Sequence, residues 1–285
     1  MGFLAARRSG RFSSAFLQGF ACCLALALAL ALCAEAAPRG PAGPPAQEPI
    51  LVACADPPAW TTTARNASGA VTETGTSFSF DMLSAALKSM GRTVRFVALP
   101  WARCMKEVEA GHLDYALGAY YSDERARRFS YSVPYSRGTP QVFFLRSRQL
   151  AISRKEDLLK FHGCGLAGGS YAHYGLKPAE LDLGVNTYER LVKKLKAGRC
   201  DYFVEELEVI AGYKHIGNDY LADPELAHGP VPGVTAPAAH LIAGLNGRAS
   251  ALMPQLNVAL LELVRSGQAA QLWRRHAGDI PYQTP

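Results

Sequence analysis

Arg125 lies in the run AYYSDERARRFSYSVPY, residues 119–135, directly behind Ser122, Asp123 and Glu124. Ser122 reads as a helix N-cap, and acids in a first turn suit the positive end of the helix dipole. A cation at that end is electrostatically misplaced unless it holds an anion. A guanidinium grips a carboxylate through two parallel hydrogen bonds, and a helix N-terminus favours the same anion. Spacing alone leaves equally open a solvated basic face that Arg125 shares with Arg127 and Arg128.

Other groups stand at comparable places. Gly118 and Tyr120 fall at the carboxyl end of a short apolar strand expected over 115–118. Gly168-Gly169-Ser170-Tyr171 reads as a second strand-to-helix junction, where glycines allow close backbone approach and Ser170 can bond an anion; a plain turn fits as well. Glu205 and Glu206 end another strand and could face a ligand ammonium, although paired glutamates also suit an ordinary helix start. Trp60, after Asp56-Pro57-Pro58, offers a stacking surface or a buried wedge. Catalytic signatures are missing: no G-x-S-x-G, no H-E-x-x-H and no G-x-x-x-x-G-K, with the 7 histidines scattered. No metal or cofactor is expected.

The elements that must position these groups repeat once. PWARCMKEVEAGHLDYALGA (100–119) and TYERLVKKLKAGRCDYFVEE (187–206) each place apolar residues at i, i+3, i+4 and i+7. These are Trp101, Cys104, Met105 and Val108 in the first, and Tyr188, Leu191, Val192 and Leu195 in the second. Both then run through Ala-Gly-x-x-Asp-Tyr into a strand, as a crossover helix feeding a parallel strand does. Further strands are expected at 50–53, 93–98 and 164–167, and helices at 80–90, at 256–277 and after Gly168. The fold class is therefore α/β with two lobes, each a mostly parallel sheet flanked by helices. The apolar segments 141–145 and 239–243 are placed to pass between lobes, giving lobe 1 as 50–142 with 240–285 and lobe 2 as 143–239. Ligands of open α/β sheets bind beyond the carboxyl ends of strands, here in the cleft between lobes.

The first 36 residues read as a cleaved secretory leader: Arg7, Arg8 and Arg11, an apolar run over 20–33, and an Ala34-Glu35-Ala36 cleavage site. Anchoring as a lipoprotein at Cys33 fits less well, because Leu32 is larger than such sites prefer. Residues 37–49 (APRGPAGPPAQEP) form a Pro/Gly-rich tether. Removing the leader lowers the formal charge from +6 to +4, with no dense basic block, so nucleic-acid binding is not expected. Cys54, Cys104, Cys164 and Cys200 remain, an even number suited to disulfides in an oxidising compartment; three pairings are possible, and free thiols stay open.

EAGHLDYALGAYYSDERARRFSYSVPY, GLAGGSY, GRCDYFVEE and LNVALLELVRSGQAAQLWRRHAG together resemble bacterial extracellular solute-binding proteins of family 3, the polar amino-acid type with a type II periplasmic fold. The resemblance covers nearly the whole body. It implies a monomeric periplasmic protein that closes by hinge motion on a small carboxylate-bearing solute, an amino acid or derivative. It would then hand that solute to the membrane permease of an ABC importer. Carried over by position, Arg125 would clamp the α-carboxylate with help from Ser170 and the backbone beside it; the aromatic types of Trp60, Tyr120 and Tyr171 suit an apolar or ring portion of the solute. Glu206 would meet the α-ammonium where the family usually has an aspartate, and Tyr120 and Gly118 would stand where small residues are common. LPWARC with Cys54 resembles a subgroup whose matching cysteines pair, while Cys164 and Cys200 each open a second-lobe strand; Cys54–Cys104 and Cys164–Cys200 are expected, one bridge per lobe, because a cross-lobe bridge would hamper closure. Two alternatives share the scaffold: a dehydratase-like enzyme with Glu205 or Glu206 as general acid, and a sensor protein that presents its ligand.

Overall fold

The computed structural model describes residues 49–55, 60–65, 71–235 and 237–285, with only the backbone described over 60–65 and 71–76. The expected leader (1–36) and the tether, save Pro49, lie outside the described residues.

In chain order the elements begin β1 (Leu51–Ala55), β2 (Trp60–Arg65), β3 (Val71–Thr76), α1 (Phe78–Ser89), β4 (Val94–Ala98), α2 (Trp101–Glu109) and β5 (Tyr115–Tyr120). There follow α3 (Asp123–Ala126), β6 (Phe129–Tyr131), β7 (Ser136–Arg137), β8 (Pro140–Leu145), β9 (Gly163–Leu166), β10 (Leu181–Val185) and α4 (Tyr188–Lys196). The chain ends with β11 (Tyr202–Glu206), α5 (Leu207–Gly212), β12 (Leu226–Pro230), β13 (Ala238–Gly244), α6 (Met253–Arg265) and α7 (Gln268–Ala277).

Three sheets are described: β4-β1-β5-β13-β6 with β7 also on β13, β10-β9-β11-β8-β12, and the antiparallel pair β2-β3. The crossover strands pair in parallel, β1 with β4 and β5, and β9 with β10 and β11. Strands that arrive from the other lobe join antiparallel: β13 beside β5, and β8 beside β11. β8 sits in the second sheet from Pro140 onward. The first crossing therefore precedes Gln141, and Gln141 and Val142 belong to the second sheet, not to the first lobe as the apolar run suggested.

The repeat has a physical explanation. Asp114 accepts the Val52 N–H through Oδ2 at 2.8 Å, and Arg248 grips its two oxygens at 2.7 and 2.8 Å. Asp201 does the same in the second lobe, accepting the His162 N–H at 2.9 Å and the Arg148 guanidinium at 2.5 Å. Each aspartate ties the foot of its strand to the neighbouring backbone and neutralises its charge on an arginine. The apolar stripe predicted on α4 is buried at Tyr188, Leu191, Val192 and Leu195, and that on α2 is buried at Cys104 and Val108 and half-buried at Trp101 and Met105. A fully buried leucine of this kind contributes roughly 1.5–3 kcal/mol.

Both disulfides match the expected pairing. Cys54 joins Cys104 with Cα atoms 5.7 Å apart, and Cys164 joins Cys200 at 5.9 Å. Two helix expectations are corrected. The closing helix is broken by Gly267, whose φ of 77° suits glycine alone, so α6 and α7 are separate. After Gly168-Gly169-Ser170 there is one 3-10 turn, Ala172–Tyr174, so Ser170 does not sit at the head of an α-helix.

Candidate functional site

β5 ends where its partner strand is one residue short. Ala116 faces Ile242 and Ala119 faces His240, so Leu241 stands opposite both Leu117 and Gly118. This bulge puts Gly118 at φ 78°, a left-handed backbone that a side chain would strain. The Gly118 N–H donates to the Tyr135 hydroxyl at 3.1 Å, which in turn donates to Ser79 Oγ at 2.7 Å. Tyr135, a wholly buried member of the sequence run that carries Arg125, thus locks the strand end to α1.

Beyond the bulge, the Ser122 hydroxyl caps α3 by accepting the Arg125 N–H at 3.2 Å. Arg125 turns inward and is only 7 % exposed. Its Nη1 donates to the Tyr120 carbonyl at 3.1 Å, its Nη2 to the Gly168 carbonyl of the second lobe at 2.8 Å, and its guanidinium lies 5.7 Å from the Trp101 ring centre. Among the described residues no carboxylate is within ion-pair distance of it. Burial therefore pulls its pKa below the usual arginine value. The solvated face shared with Arg127 and Arg128 does not apply to Arg125, because its two neighbours are exposed and it is not.

Across the cleft, β11 ends in Glu205 and Glu206, on opposite faces of the strand. Glu206 is 1 % exposed. Its Oε2 accepts the Tyr120 hydroxyl from the first lobe at 2.5 Å, while Oε1 lies 2.9 Å from His173 Nε2 and accepts the Tyr174 hydroxyl at 3.3 Å. The Glu206 backbone N–H donates to its neighbour's Oε1 at 3.0 Å, and the Tyr188 hydroxyl donates to Glu205 Oε2. Burial lifts both carboxyls above the ordinary glutamate range, and the charge of Glu206 pushes Glu205 further. Burial also holds the His173 imidazole down to about 4, so the ring is neutral at neutral pH. The His173–Glu206 contact is then a hydrogen bond between a neutral ring and a carboxyl reluctant to ionise, rather than a strong ion pair.

The remaining sequence candidates take different places. Gly118, Tyr120, Arg125, Ser170, Tyr171 and Glu206 all line one cleft of about 250 Å³. Tyr171 folds back beneath the glycine turn, where its hydroxyl accepts the Leu166 N–H at 2.6 Å; a Cβ on Gly169 would stand 2.5 Å from that hydroxyl. Its ring walls the cleft while its polar tip serves the backbone. Trp60 opens β2, and its side chain lies outside the described residues. Sequence reasoning missed His173 and Tyr174, in a turn with no periodic signal, and Gly138, where a Cβ would stand 2.3 Å from Glu206 Cγ. A glycine just before Thr-Pro and a new strand was the available signal for that last position.

The sequence model for bacterial extracellular solute-binding proteins, family 3, matches residues 57–279. No curated protein matches the chain. Among solved structures it is similar to a histidine kinase sensor domain with similarity to periplasmic binding proteins, at 21 % identity over 83 % of this chain and 98 % of that one, with a TM-score of 0.63. It is similar also to the substrate binding protein of an amino acid ABC transporter, at 19 % identity over 80 % and 99 % of the two chains and a TM-score of 0.62. The arginine-, lysine-, histidine-binding protein ArtJ from the thermophilic bacterium Geobacillus stearothermophilus aligns at 17 % identity over 82 % and 97 %, again with a TM-score of 0.62. At these identities the likeness is one of fold.

Proposed function

The chain belongs to the bacterial extracellular solute-binding proteins of family 3, and from that premise we propose that it captures a small carboxylate-bearing solute, an amino acid or derivative, between its lobes. The observation that carries this reading is Arg125, a buried cation in the cleft whose acceptors among the described residues are two backbone carbonyls. Of its five N–H donors those contacts engage two, which leaves a charge to neutralise and donors to satisfy it with. A ligand carboxylate does both. Ser170 and the glycine turn line the same cleft and would share the anion, and Glu206 or Glu205 would offer an acceptor for an amine.

The leader, residues 1–36, would direct the chain across the membrane, and the tether would give the folded body reach. Lobe closure on the solute would expel water and strengthen the charged hydrogen bonds. Delivery to the permease of an ABC importer is supported by the fold shared with the amino acid ABC transporter protein. Presentation to a receptor is the second reading, supported by the fold shared with the kinase sensor domain. In either case the solute leaves unchanged, although the buried glutamate pair makes turnover of cyclic carboxylates the control to run.

The test is a thermal-shift screen of refolded mature protein against amino acids, small organic acids and cyclic carboxylates. A ligand at 100 times its dissociation constant should add about 2.7 kcal/mol, a shift of a few degrees for a chain this size. The reading stands if Arg125→Ala abolishes the shift, and it fails if no carboxylate moves the melting point.

A further inference from the structure

We infer that Tyr120 makes this cleft accept carboxylates that lack an amine as well as those that carry one, because its hydroxyl completes Glu206 where a ligand ammonium would otherwise be required. The inference rests on Arg125 as the carboxylate clamp, and it concerns the other half of the same site.

Glu206 is satisfied without a ligand. Tyr120 donates to one carboxyl oxygen, and His173 and Tyr174 occupy the other. A buried carboxyl with a missing donor costs about 1–3 kcal/mol, and more when charged. An acceptor left bare in a closing cleft would therefore reject amine-free acids strongly; one already filled does not. Arg125 does not fill that role, since its hydrogen-bond acceptors among the described residues are the Tyr120 and Gly168 carbonyls.

The geometry also says which group gives way. Glu206 cannot retreat: the hinge backbone at Gly138 is packed against its stem, so closely that a Cβ there would fall 2.3 Å from Cγ. Tyr120 is fixed at its backbone, while the far end of its ring meets side chains. Its carbonyl accepts Arg125 Nη1 at 3.1 Å and the Tyr131 hydroxyl at 3.2 Å, and it pairs with Ala239 in the sheet. Its ring rests edge-on against His173, 5.6 Å between centres, and its hydroxyl bonds the Glu206 side chain. An ammonium would thus displace the phenol rather than the carboxyl. The amine-bearing ligand loses the Tyr120–Glu206 hydrogen bond and gains its own; the amine-free ligand keeps the existing one. The two classes end close in affinity.

The experiment is calorimetry on refolded, disulfide-intact protein with three matched pairs: L-phenylalanine and 3-phenylpropionate, L-glutamate and glutarate, L-arginine and 5-guanidinopentanoate. In the wild type, both members of at least one pair are expected to bind within about tenfold of each other. In Tyr120→Phe the ratio should move at least about tenfold toward the amine-bearing member, the span that one buried unsatisfied acceptor implies. A ratio unchanged within threefold, with binding otherwise intact, overturns the role of Tyr120 and leaves the clamp standing. Should Tyr120→Phe not fold, the wild-type ratio decides alone, and a hundredfold or greater preference for the amine overturns the inference. If none of the six probes binds, the inference falls, and the carboxylate reading is decided by the wider thermal-shift screen.

Discussion

Arg125 Nη2 and the Gly168 carbonyl meet at 2.8 Å across the cleft, one group from each lobe. Gly168 reaches that point because its φ of 80° turns the carbonyl outward and because its bare Cα sits against Ala102 of α2, where a Cβ would come within 3.2 Å. The lobes therefore touch through a cation and a neutral acceptor. A carboxylate is the better acceptor, so the contact is one that a ligand can replace by a stronger one. That makes the same arginine a structural tie and a recognition group.

The first consequence separates those two jobs. Arg125→Met removes a buried charge that lacks a carboxylate partner, and with it two hydrogen bonds to carbonyls. The relieved desolvation and the lost bonds, each about 1 kcal/mol net, oppose one another. Unfolding free energies of the ligand-free protein from urea titration are expected to agree within about 2 kcal/mol, whereas the stabilisation by any bound carboxylate disappears. A variant that unfolds outright would show Arg125 to be a structural residue first.

Gly138 and Gly229 make a matched pair for the hinge. Alanine at Gly138 would press into Glu206 Cγ, whose carboxyl is held at both oxygens, while alanine at Gly229 meets nothing within 4 Å. Overpacking of this kind costs about 1–3 kcal/mol. Gly138→Ala is expected to lose that much and to weaken ligand binding, and Gly229→Ala to stay within about 0.5 kcal/mol. Equal behaviour of the two variants in chemical denaturation would remove the hinge glycine from the argument.

These contacts mark the border of what the sequence discloses. The crossover helices and the paired strands follow from local rules, a 3.6-residue apolar stripe and a capping residue, whereas spacing leaves an inward Arg125 level with a solvated basic face. The cleft partners do not. Tyr120 and Glu206 are 86 residues apart in the chain, and nothing in the type of either says that they bond. His173 sits in a single turn, too short to carry a period. An apolar run reads alike in a hinge and in a central strand, so the sequence does not disclose that Gln141 and Val142 already pair with β11. Local pattern specifies elements; the assembly of the two lobes specifies the site.

Each disulfide closes its own lobe, over 50 residues for Cys54–Cys104 and 36 for Cys164–Cys200. Loop-closure entropy puts either bridge at about 4 kcal/mol. Replacing one pair by serine should lower stability by roughly that much and leave the affinity of the folded protein for its ligand within a few-fold. Peptide mapping that linked Cys54 to Cys164 or Cys200 would contradict the bridges and with them the independence of lobe closure.

His173 gives the fold a measurable acid dependence. Burial holds its pKa at about 4 against an ordinary 6.5, so below pH 6.5 the unfolded chain takes up a proton that the folded chain refuses. The stability contributed by the neutral ring is fully present above that value and is lost as pH falls toward 4. One pKa unit is about 1.4 kcal/mol, which makes the loss between pH 7 and 5 about 2 kcal/mol. Glu205 and Glu206 act in the opposite sense, since carboxyls raised by burial favour the fold as pH falls through their folded values. The wild-type slope is the difference of the two and does not isolate either. His173→Gln does, because glutamine can still bond Glu206 but does not titrate. Denaturation at pH 7 and pH 5 should show the wild type losing about 2 kcal/mol more than the variant over that interval. Parallel losses would mean that the ring titrates near its ordinary value, and that water reaches Glu206 in solution far more freely than its burial between Tyr120, Tyr174 and Gly138 allows.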